Sequence, residues 1–475
     1  MSMKLTREQI QKIIDDMQKQ IEKNPRNKEA YHDLSVARME FGQYDLALEG
    51  FTKAVELDPR FVSATYLAGI CYAELGRPDD AVEMWKKTVA LDKRHDNAMY
   101  FIGKIYGMKG MWDMAIHQFN QALKINDEMP QYYQGLAEMH LAKGEIAQAV
   151  EKWKHILTID EKNLQAHVNL SAAYLDLNDV EKSVRHGGIA VSLGAASATV
   201  YYNLGMAYLF AGIQSDSIKY LKLAKEVDPE DIPTRLSLGE AYIASGNREA
   251  AIAEWKELLE KAPGSADALY NLGLAAAQEG KGTEAIDYFN QTLTIDPAYV
   301  PAIANKGIQY YLEGKWQESL TEWENVLKIE PTHTQALGNL VEIYLGQGQV
   351  ELAKQWMERA MEAHPTEARY HYLRGAIGLK KSQIKEALAS WKQAYQIDPE
   401  IFVHYTMHVQ ETLAGDKFEH LIAAAQAEDQ ELLQKLQEVK SGQAVQKVIQ
   451  AAKVQAEIQK EEKQGLMQKL KNLFK

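Results

Sequence analysis

The chain contains few of the residues on which several classes of protein depend. Among 475 residues there is one cysteine, Cys71, so intramolecular disulfides and cysteine-rich metal sites are excluded. No apolar run approaches the roughly 20 residues that a membrane-spanning helix needs, and the first residues lack the apolar core of a signal peptide. A formal net charge of -13 argues against a nucleic-acid scaffold. These absences predict a soluble, cytoplasmic protein with no nucleic-acid partner.

Sequence motifs that carry catalysis are also missing. The chain has no HExxH, CxxC, GxSxG or Walker motif. The nearest phosphate-binding string, from Gly280 to Thr283, has no strand before it and is interpreted as a turn. The histidines are scattered without the spacing of metal ligands. We therefore predict a non-enzymatic protein with no cofactor and no metal site.

What the chain does have is a unit of 34 residues that repeats eleven times, without insertion, from Lys28 to Ile401. Glycine occupies position 15 of nine copies, and Asn178 and Ser382 replace it in the other two. Five residues later, every copy has alanine or serine. Such fixed-period self-similarity indicates a solenoid, in which each repeat contacts only its neighbours.

The recurring residues suit a unit of two helices. Glycine at position 15 ends the first helix, and proline closes most copies because it cannot continue the second. Glycine also recurs at position 8, where it lets two helices approach closely. A large aromatic residue at position 24 is predicted to pack between helices as part of the core. These aromatic residues are Phe51, Trp85, Phe119, Trp153, Trp255, Phe289, Trp323 and Trp391.

This pattern resembles the tetratricopeptide repeat. In the copy from Ala198 to Asp231 the matching residues are Tyr201, Leu204, Gly205, Tyr208, Gly212, Ser217, Leu221, Ala224 and Pro229. The resemblance covers residues 28–401. It implies an all-α fold, a right-handed α-solenoid of helix-turn-helix units, whose first helices line a concave groove.

The two ends of the chain differ from the repeats. Residues 1–27 are predicted to form an N-terminal capping helix, and residues 402–475 a C-terminal helical cap with an amphipathic tail. Residues 465–475 combine apolar residues on one helical face with three lysines. This segment could contact an anionic membrane surface, fold back on the repeats, or support self-association together with the other C-terminal helices.

The fifth copy departs most from the repeat pattern. Gly187 and Gly188 stand where other copies place the bulky aromatic residue, and no proline closes the copy. Two interpretations are open: a neighbouring helix approaches closely there, or the copy is a joint between two groups of repeats. Under the second interpretation, replacing both glycines with alanine is expected to stiffen the chain.

The resemblance implies that residues on the inner face of the first helices contact a ligand. Position 6 carries asparagine in five copies: Asn169, Asn203, Asn271, Asn305 and Asn339. This resembles the asparagine ladder of the tetratricopeptide superhelix in nucleocytoplasmic glycosyltransferases, which holds extended peptides. A carboxamide both donates and accepts, so it pairs with a peptide backbone whatever its side chains. Alternatively, these asparagines only bond to neighbouring turns.

Tyrosines and acidic residues extend the predicted peptide-binding surface. Position 5 provides Tyr66, Tyr100, Tyr202 and Tyr270, some of which are expected to pack in the core. Other inner-face positions are mostly acidic: Glu40, Glu74, Glu138, Asp176, Glu240, Asp267 and Glu342. An acidic groove attracts segments rich in lysine or arginine.

We therefore predict a protein-protein interaction scaffold or adaptor that binds extended peptide segments and supports assembly of a multiprotein complex. The alternative is a scaffold subunit that docks on a large complex or a membrane surface through its C-terminal amphipathic helices.

Overall fold

The computed structural model of the chain describes residues 6–398, together with Gln434 and Gln437. Within residues 6–398 the chain forms 23 α-helices joined by turns, without a strand. None of these helices is long and apolar enough to cross a membrane. Apart from the two glutamines, the predicted C-terminal cap and tail, residues 402–475, lie outside the described residues. Predictions that rest on this segment stay predictions.

The chain divides into two compact units, Met1–Ala207 and Tyr208–Lys475, and the boundary falls inside one helix. The helices up to that boundary are α1 (Arg7–Lys23), α2 (Lys28–Glu40), α3 (Tyr44–Leu57), α4 (Val62–Glu74), α5 (Pro78–Leu91), α6 (Asp96–Met108), α7 (Trp112–Leu123), α8 (Pro130–Ala142), α9 (Ile146–Ile159), α10 (Leu164–Asp176), α11 (Val180–Ser192) and α12 (Ala198–Phe210), which crosses it.

The second unit continues the same alternation of helices. Its helices are α13 (Gln214–Val227), α14 (Ile232–Ala244), α15 (Arg248–Lys261), α16 (Ala266–Gln278), α17 (Gly282–Ile295), α18 (Val300–Leu312), α19 (Trp316–Ile329), α20 (Thr334–Gly346), α21 (Val350–Ala363), α22 (Ala368–Lys380) and α23 (Ile384–Ile397). Within each unit, consecutive helices pack against each other in pairs. The predicted all-α, helix-turn-helix repeat fold is confirmed.

The turn inside each repeat shows why position 15 selects glycine. The residue there adopts a left-handed conformation, with φ near 70° at Gly76 and Gly314. The two copies without glycine keep this conformation, with φ of 57° at Asn178 and 62° at Ser382. Asparagine tolerates this region better than serine, because its short amide can bond locally. The backbone conformation therefore fixes the turn even where the sequence departs from the pattern.

The aromatic residues at position 24 form the core, as predicted. Phe51 and Phe289 are fully buried, and Trp85, Trp323 and Trp391 are at most 1% exposed. The small residues at position 20 are buried as well, because no larger side chain fits where the two helices of a repeat cross. The sequence repeat is therefore a repeat of packing contacts.

Where position 8 is glycine and position 24 is aromatic, the ring of the same repeat lies against the glycine and leaves no room for a side chain there. A Cβ atom at Gly239 would overlap the Trp255 indole, and one at Gly375 would overlap that of Trp391. This contact brings the Trp255 Nε1 within 3.3 Å of the Leu236 carbonyl oxygen, to which it donates a hydrogen bond. The glycine thus permits both the close packing and the satisfaction of the indole N–H.

Two repeats show what happens when this contact changes. Ala137 replaces the glycine that would face Trp153, and the Trp153 indole donates instead to the Gln134 side-chain oxygen, at 2.9 Å. At Gly307 an added Cβ would lie 3.1 Å from Trp323 Cε2, which is a looser fit. The Trp323 indole nitrogen is buried and has no hydrogen-bond partner among the described residues.

The first helix, α1, covers the apolar end of the first repeat. A capping box at Thr6 and Gln9 starts the helix. Ile10 and Ile14 are buried in a cluster with Leu34 of α2. Ile13, Met17 and Ile21 are partly buried against the same cluster. The apolar residues of α1 therefore lie along one face of the helix, against the first repeat.

Gly187 and Gly188 lie within the continuous helix α11 and do not interrupt it. Gly187 is buried, and an added Cβ would lie 2.7 Å from the Ser171 Oγ and 2.8 Å from Leu204 Cδ2. Leu204 is itself fully buried, so it occupies space that the aromatic residue fills in other repeats. These contacts favour close packing as the reason for Gly187, and the expectation that alanine would stiffen the chain there stays a prediction.

The Gly239→Ala variant tests whether position 8 excludes a side chain. The added methyl group must displace the Trp255 ring and break its bond to Leu236, so we expect a loss of about 2 to 3 kcal/mol. Gly307→Ala is the matched control, because it makes a looser contact and breaks no indole bond. Its gain in helix propensity, up to about 1 kcal/mol, offsets the crowding. Equal shifts in the urea unfolding midpoints of the two variants would contradict this assignment.

The Gly187→Ala variant distinguishes close packing from a joint. The methyl group would crowd Ser171 and Leu204, so we expect faster amide hydrogen exchange in α10 and α11 and a lower urea midpoint. Slower exchange in these helices, without loss of stability, would support a joint instead.

Candidate functional site

Among the described residues, no group of three or more histidine, cysteine or acidic side chains is placed to hold a metal ion. Cys71 is fully buried in α4, and burial raises the pKa of its thiol to about 12. At physiological pH this thiol is protonated and therefore a poor nucleophile.

Two histidines that the sequence presents as scattered are in contact. His167 and His186 lie 19 residues apart on α10 and α11, with their Nδ1 atoms at 2.9 Å. The Nε2 of His167 bonds to the Glu161 carbonyl oxygen, so its Nδ1 accepts from His186. Burial, and to a smaller extent His167, lowers the pKa of His186 to about 4. With its pKa lowered, His186 is neutral at physiological pH, and the contact between the two rings is interpreted as a structural hydrogen bond.

A charged cluster is buried between α13, α14 and α15. Arg235 is 1% exposed and pairs with Glu254 and Glu257, and the Nζ of Lys225 lies 2.8 Å from Glu254. The hydrogen bond from Arg235 and the nearby Lys225 lower the pKa of Glu257. Two cations balance two anions here, so the cluster carries no net charge that would attract a charged ligand.

The five predicted asparagines lie on the first helices but in different surroundings. Three of them bond to neighbouring first helices: Asn169 donates to the Gln134 side-chain oxygen, Asn305 donates to the Tyr270 hydroxyl, and Asn339 accepts from Arg369. Asn203 is buried at 6% exposure. Asn271 is half-buried and forms no side-chain hydrogen bond with any described residue. The alternative of bonding to neighbours therefore applies to three of the five.

The identity of the residue 35 positions before each asparagine explains why Asn169 and Asn305 form a hydrogen bond and Asn271 does not. Asn169 and Asn305 follow Gln134 and Tyr270 at that distance, and both of these side chains can accept a hydrogen bond. The residue 35 positions before Asn271 is Leu236, which cannot. The sequence contained this signal, since the position 5 residue of the preceding repeat shows whether an asparagine is engaged. The partner of Asn339, in contrast, comes from the following repeat.

The predicted tyrosines are half-buried, and three of them contribute to packing. Tyr66 contacts the His95 ring at 4.5 Å, and Tyr100 contacts the rings of Phe101, Phe119 and Tyr132. Burial raises the pKa values of Tyr66, Tyr100 and Tyr270. Tyr202 is half-buried on α12. These tyrosines present part of each ring to solvent and use the remainder in the core.

An open cavity of about 230 Å³ lies between α14 and α16, on the first-helix face of the second unit. Its lining residues are Glu240, Ile243, Ala244, Trp255, Asn271, Leu274, Ala275 and Gln278. The wall is mostly apolar, and its polar side chains on α14 and α16 are those of Glu240, Asn271 and Gln278. Of the five predicted asparagines, Asn271 therefore combines a free amide with an apolar cavity.

One acidic side chain, Glu240, lines this cavity, and a second, Asp267, lies close enough to interact with it. Partial desolvation and repulsion from Asp267 raise the pKa of Glu240. Asp267 accepts a hydrogen bond from the Tyr299 hydroxyl at 2.7 Å. Neither carboxylate forms an ion pair with a described residue, whereas Glu342 pairs with Arg369 at 2.9 Å. The region around Glu240 and Asp267 is thus an unneutralised part of the predicted acidic surface.

Comparison with known proteins identifies the repeat. Family models described as tetratricopeptide repeat match residues 32–96 and 236–300, residues 310–377, and residues 198–231. Curated proteins give no match to the chain.

Several solved structures are similar to the chain. One is described as YrrB, a TPR protein with an unusual peptide-binding site, with 18% identity over 39% of this chain and 96% of that one and a TM-score of 0.36. Another is the APC/C hetero-tetramer Cut9-Hcn1, with 15% identity over 82% and 91% of the chains and a TM-score of 0.38. A third is pilF of Pseudomonas aeruginosa, with 16% identity over 44% and 95% and a TM-score of 0.39.

The family models match separate stretches of both units, and the helices between and around these stretches keep the same lengths and turns. A stack of such helix pairs is a scaffold suited to protein-protein interaction. The chain belongs to the tetratricopeptide repeat family.

Proposed function

We propose that this protein is a non-enzymatic, cytoplasmic scaffold or adaptor that binds extended, basic segments of other proteins on its acidic first-helix face and so supports assembly of a multiprotein complex. The observation that carries the proposal is the cavity between α14 and α16, where the unpaired Asn271 amide and the unneutralised Glu240 carboxylate line an apolar wall.

The size of the cavity favours a peptide side chain over a small-molecule ligand. Its volume of about 230 Å³ is below the roughly 300–1,000 Å³ of typical small-molecule sites. One aliphatic side chain can occupy the apolar wall formed by Ile243, Leu274 and Ala275. The peptide backbone then lies across the opening, where the Asn271 amide can donate to a carbonyl and accept from an N–H group.

The charge around the cavity favours a basic partner. Desolvation first, and repulsion from Asp267 second, raise the pKa of Glu240, so a nearby cation would stabilise its charged form. A lysine or arginine beside the aliphatic residue would relieve this repulsion and form two favourable interactions at once. Complementary charge also raises the rate at which the partner associates. A basic segment is therefore bound better than a neutral segment of the same shape.

The remaining predicted residues extend this surface in the proposal. In the second unit, Asn305 keeps its amide oxygen available while its nitrogen donates to Tyr270, and Asn339 keeps its amide nitrogen available. In the first unit, Asn169 and Asn203 are candidate contacts for a separate part of the partner. The alternative function, docking through the C-terminal helices, rests on residues outside those that the structure describes.

Removing two acidic charges at the cavity tests the proposed function. We expect the double variant Glu240→Gln and Asp267→Asn to bind basic peptides about tenfold more weakly, which corresponds to about 1.4 kcal/mol. A library of short peptides, selected on the wild-type protein, provides the ligands. The selected peptides should combine an aliphatic residue with flanking lysine or arginine, and their binding should weaken with added salt.

The matched control removes the same charge elsewhere. Glu249 and Glu260 are exposed on α15, a second helix, so the Glu249→Gln and Glu260→Gln variant changes the net charge equally. It should bind the selected peptides like the wild type. Selection of neutral peptides, or equal weakening by both double variants, would contradict the proposed site.

The pH dependence of binding provides a second prediction. Because the pKa of Glu240 is raised, its charge is complete above that pKa and is lost as the pH falls through it. As the pH is lowered, affinity for a basic, histidine-free peptide should therefore begin to fall at a higher pH than it would with an ordinary glutamate, whose pKa is about 4.3. Titration by fluorescence anisotropy measures this, and Glu240→Gln should remove this part of the fall. A wild-type profile identical to that of the variant would contradict the role of Glu240.

A further inference from the structure

The chain itself contains a segment with the chemistry that the cavity between α14 and α16 requires. Residues 465–475 read GLMQKLKNLFK. Five of them are apolar, spaced as on one helical face: Leu466, Met467, Leu470, Leu473 and Phe474. Lys469, Lys471 and Lys475 add positive charge and no acidic residue accompanies them. We propose that this segment binds the first-helix face around Asn271 in the same molecule and competes there with the partner segment.

This inference rests on the proposed function, because it assigns an internal competitor to the same surface. Charge complementarity selects the surface. At the cavity between α14 and α16, Glu240 and Asp267 are acidic and form no ion pair with a described residue. The larger cavity along α21 to α23, of about 500 Å³, is lined by Lys354, Arg374 and Lys381 as well as three glutamates. Those cations would repel the lysines of the segment.

The length of chain between the two parts is sufficient for an intramolecular contact. The first helices of neighbouring repeats lie about 10 Å apart, so three repeats separate α16 from α22 by about 30 Å. Residues 399–464 connect α23 to the segment. Even at the 1.5 Å rise of an α-helix they span about 100 Å.

The tether also makes a weak contact effective. A segment joined to its site by a linker of this length has an effective concentration on the order of 1 mM. If the intrinsic dissociation constant is about 0.1 mM, the ratio of occupied to free site is then about ten. A partner segment must displace it, so the apparent affinity for the partner falls by about the same factor.

Disulfide trapping in the full chain tests the contact directly. Ala244→Cys places a thiol at the edge of the cavity, where Ala244 is exposed, and Leu470→Cys places the second thiol in the segment. Ala253→Cys, exposed on α15, replaces Ala244→Cys in the matched control. The native Cys71 is buried, so it does not compete. Intact mass and peptide mapping after mild oxidation identify the products.

The proposal predicts an intramolecular disulfide between positions 244 and 470, formed several times faster than one between positions 253 and 470 and independent of protein concentration. Equal rates for the two pairs, or no disulfide in either, would overturn it. A disulfide between molecules would also overturn it, in favour of a second copy of the chain as the occupant.

A binding measurement separates this proposal from the proposed function. The probe is a fluorescein-labelled peptide of residues 465–475, added to full-length protein. The variant Lys469→Glu, Lys471→Glu and Lys475→Glu should bind the probe about tenfold more tightly than the wild type, because its own segment no longer competes. Equal, measurable affinities would overturn the competition while leaving the peptide-binding function intact. If the disulfide forms at position 244 but the wild-type protein selects no peptide from the library, the result would contradict the proposed function alone.

Discussion

In six of the eleven repeats an aromatic ring of the second helix packs against a glycine of the first helix, and this contact sets the geometry of those helix pairs. Where glycine is present, as at Gly239, the Trp255 indole reaches the backbone of the first helix and bonds to the Leu236 carbonyl. The ring fills the space between the two helices, so the contact brings both packing and hydrogen bonding. The helix pairs inherit their spacing from this contact, and the positions of all other first-helix residues follow from it.

The same contact determines which residues can meet a partner. The contact between ring and glycine occupies the side of the first helix that faces the second helix of the same repeat. Positions 5 and 6 therefore lie toward the first helices of the neighbouring repeats. There they either bond to each other, as Asn305 and Tyr270 do, or remain unpaired, as Asn271 does. The proposed peptide-binding site therefore lies where the repeat pattern leaves polar groups without an internal partner, since such groups gain most from a ligand.

Much of the fold could be predicted from the sequence because the repeat reports backbone geometry directly. The left-handed turns at Asn178 and Ser382, for example, follow from the position they share with glycine. The candidate site could be predicted only in part. Position 6 predicts which first-helix residues are candidate contacts, but whether Asn339 is free depends on Arg369 in the following repeat. Gly187 was ambiguous because the cause, close packing of Leu204, lies in another repeat.

The most direct test of the account is site-specific photo-crosslinking in living cells. A benzophenone side chain at Gln278, exposed at the edge of the cavity, is compared with the same side chain at Ala253 on a second helix. The account predicts that position 278 captures a lysine- or arginine-rich segment of another protein, identified by mass spectrometry, and that position 253 does not. Capture of that segment at position 253 but not at 278 would place partner binding on the second helices and contradict the account.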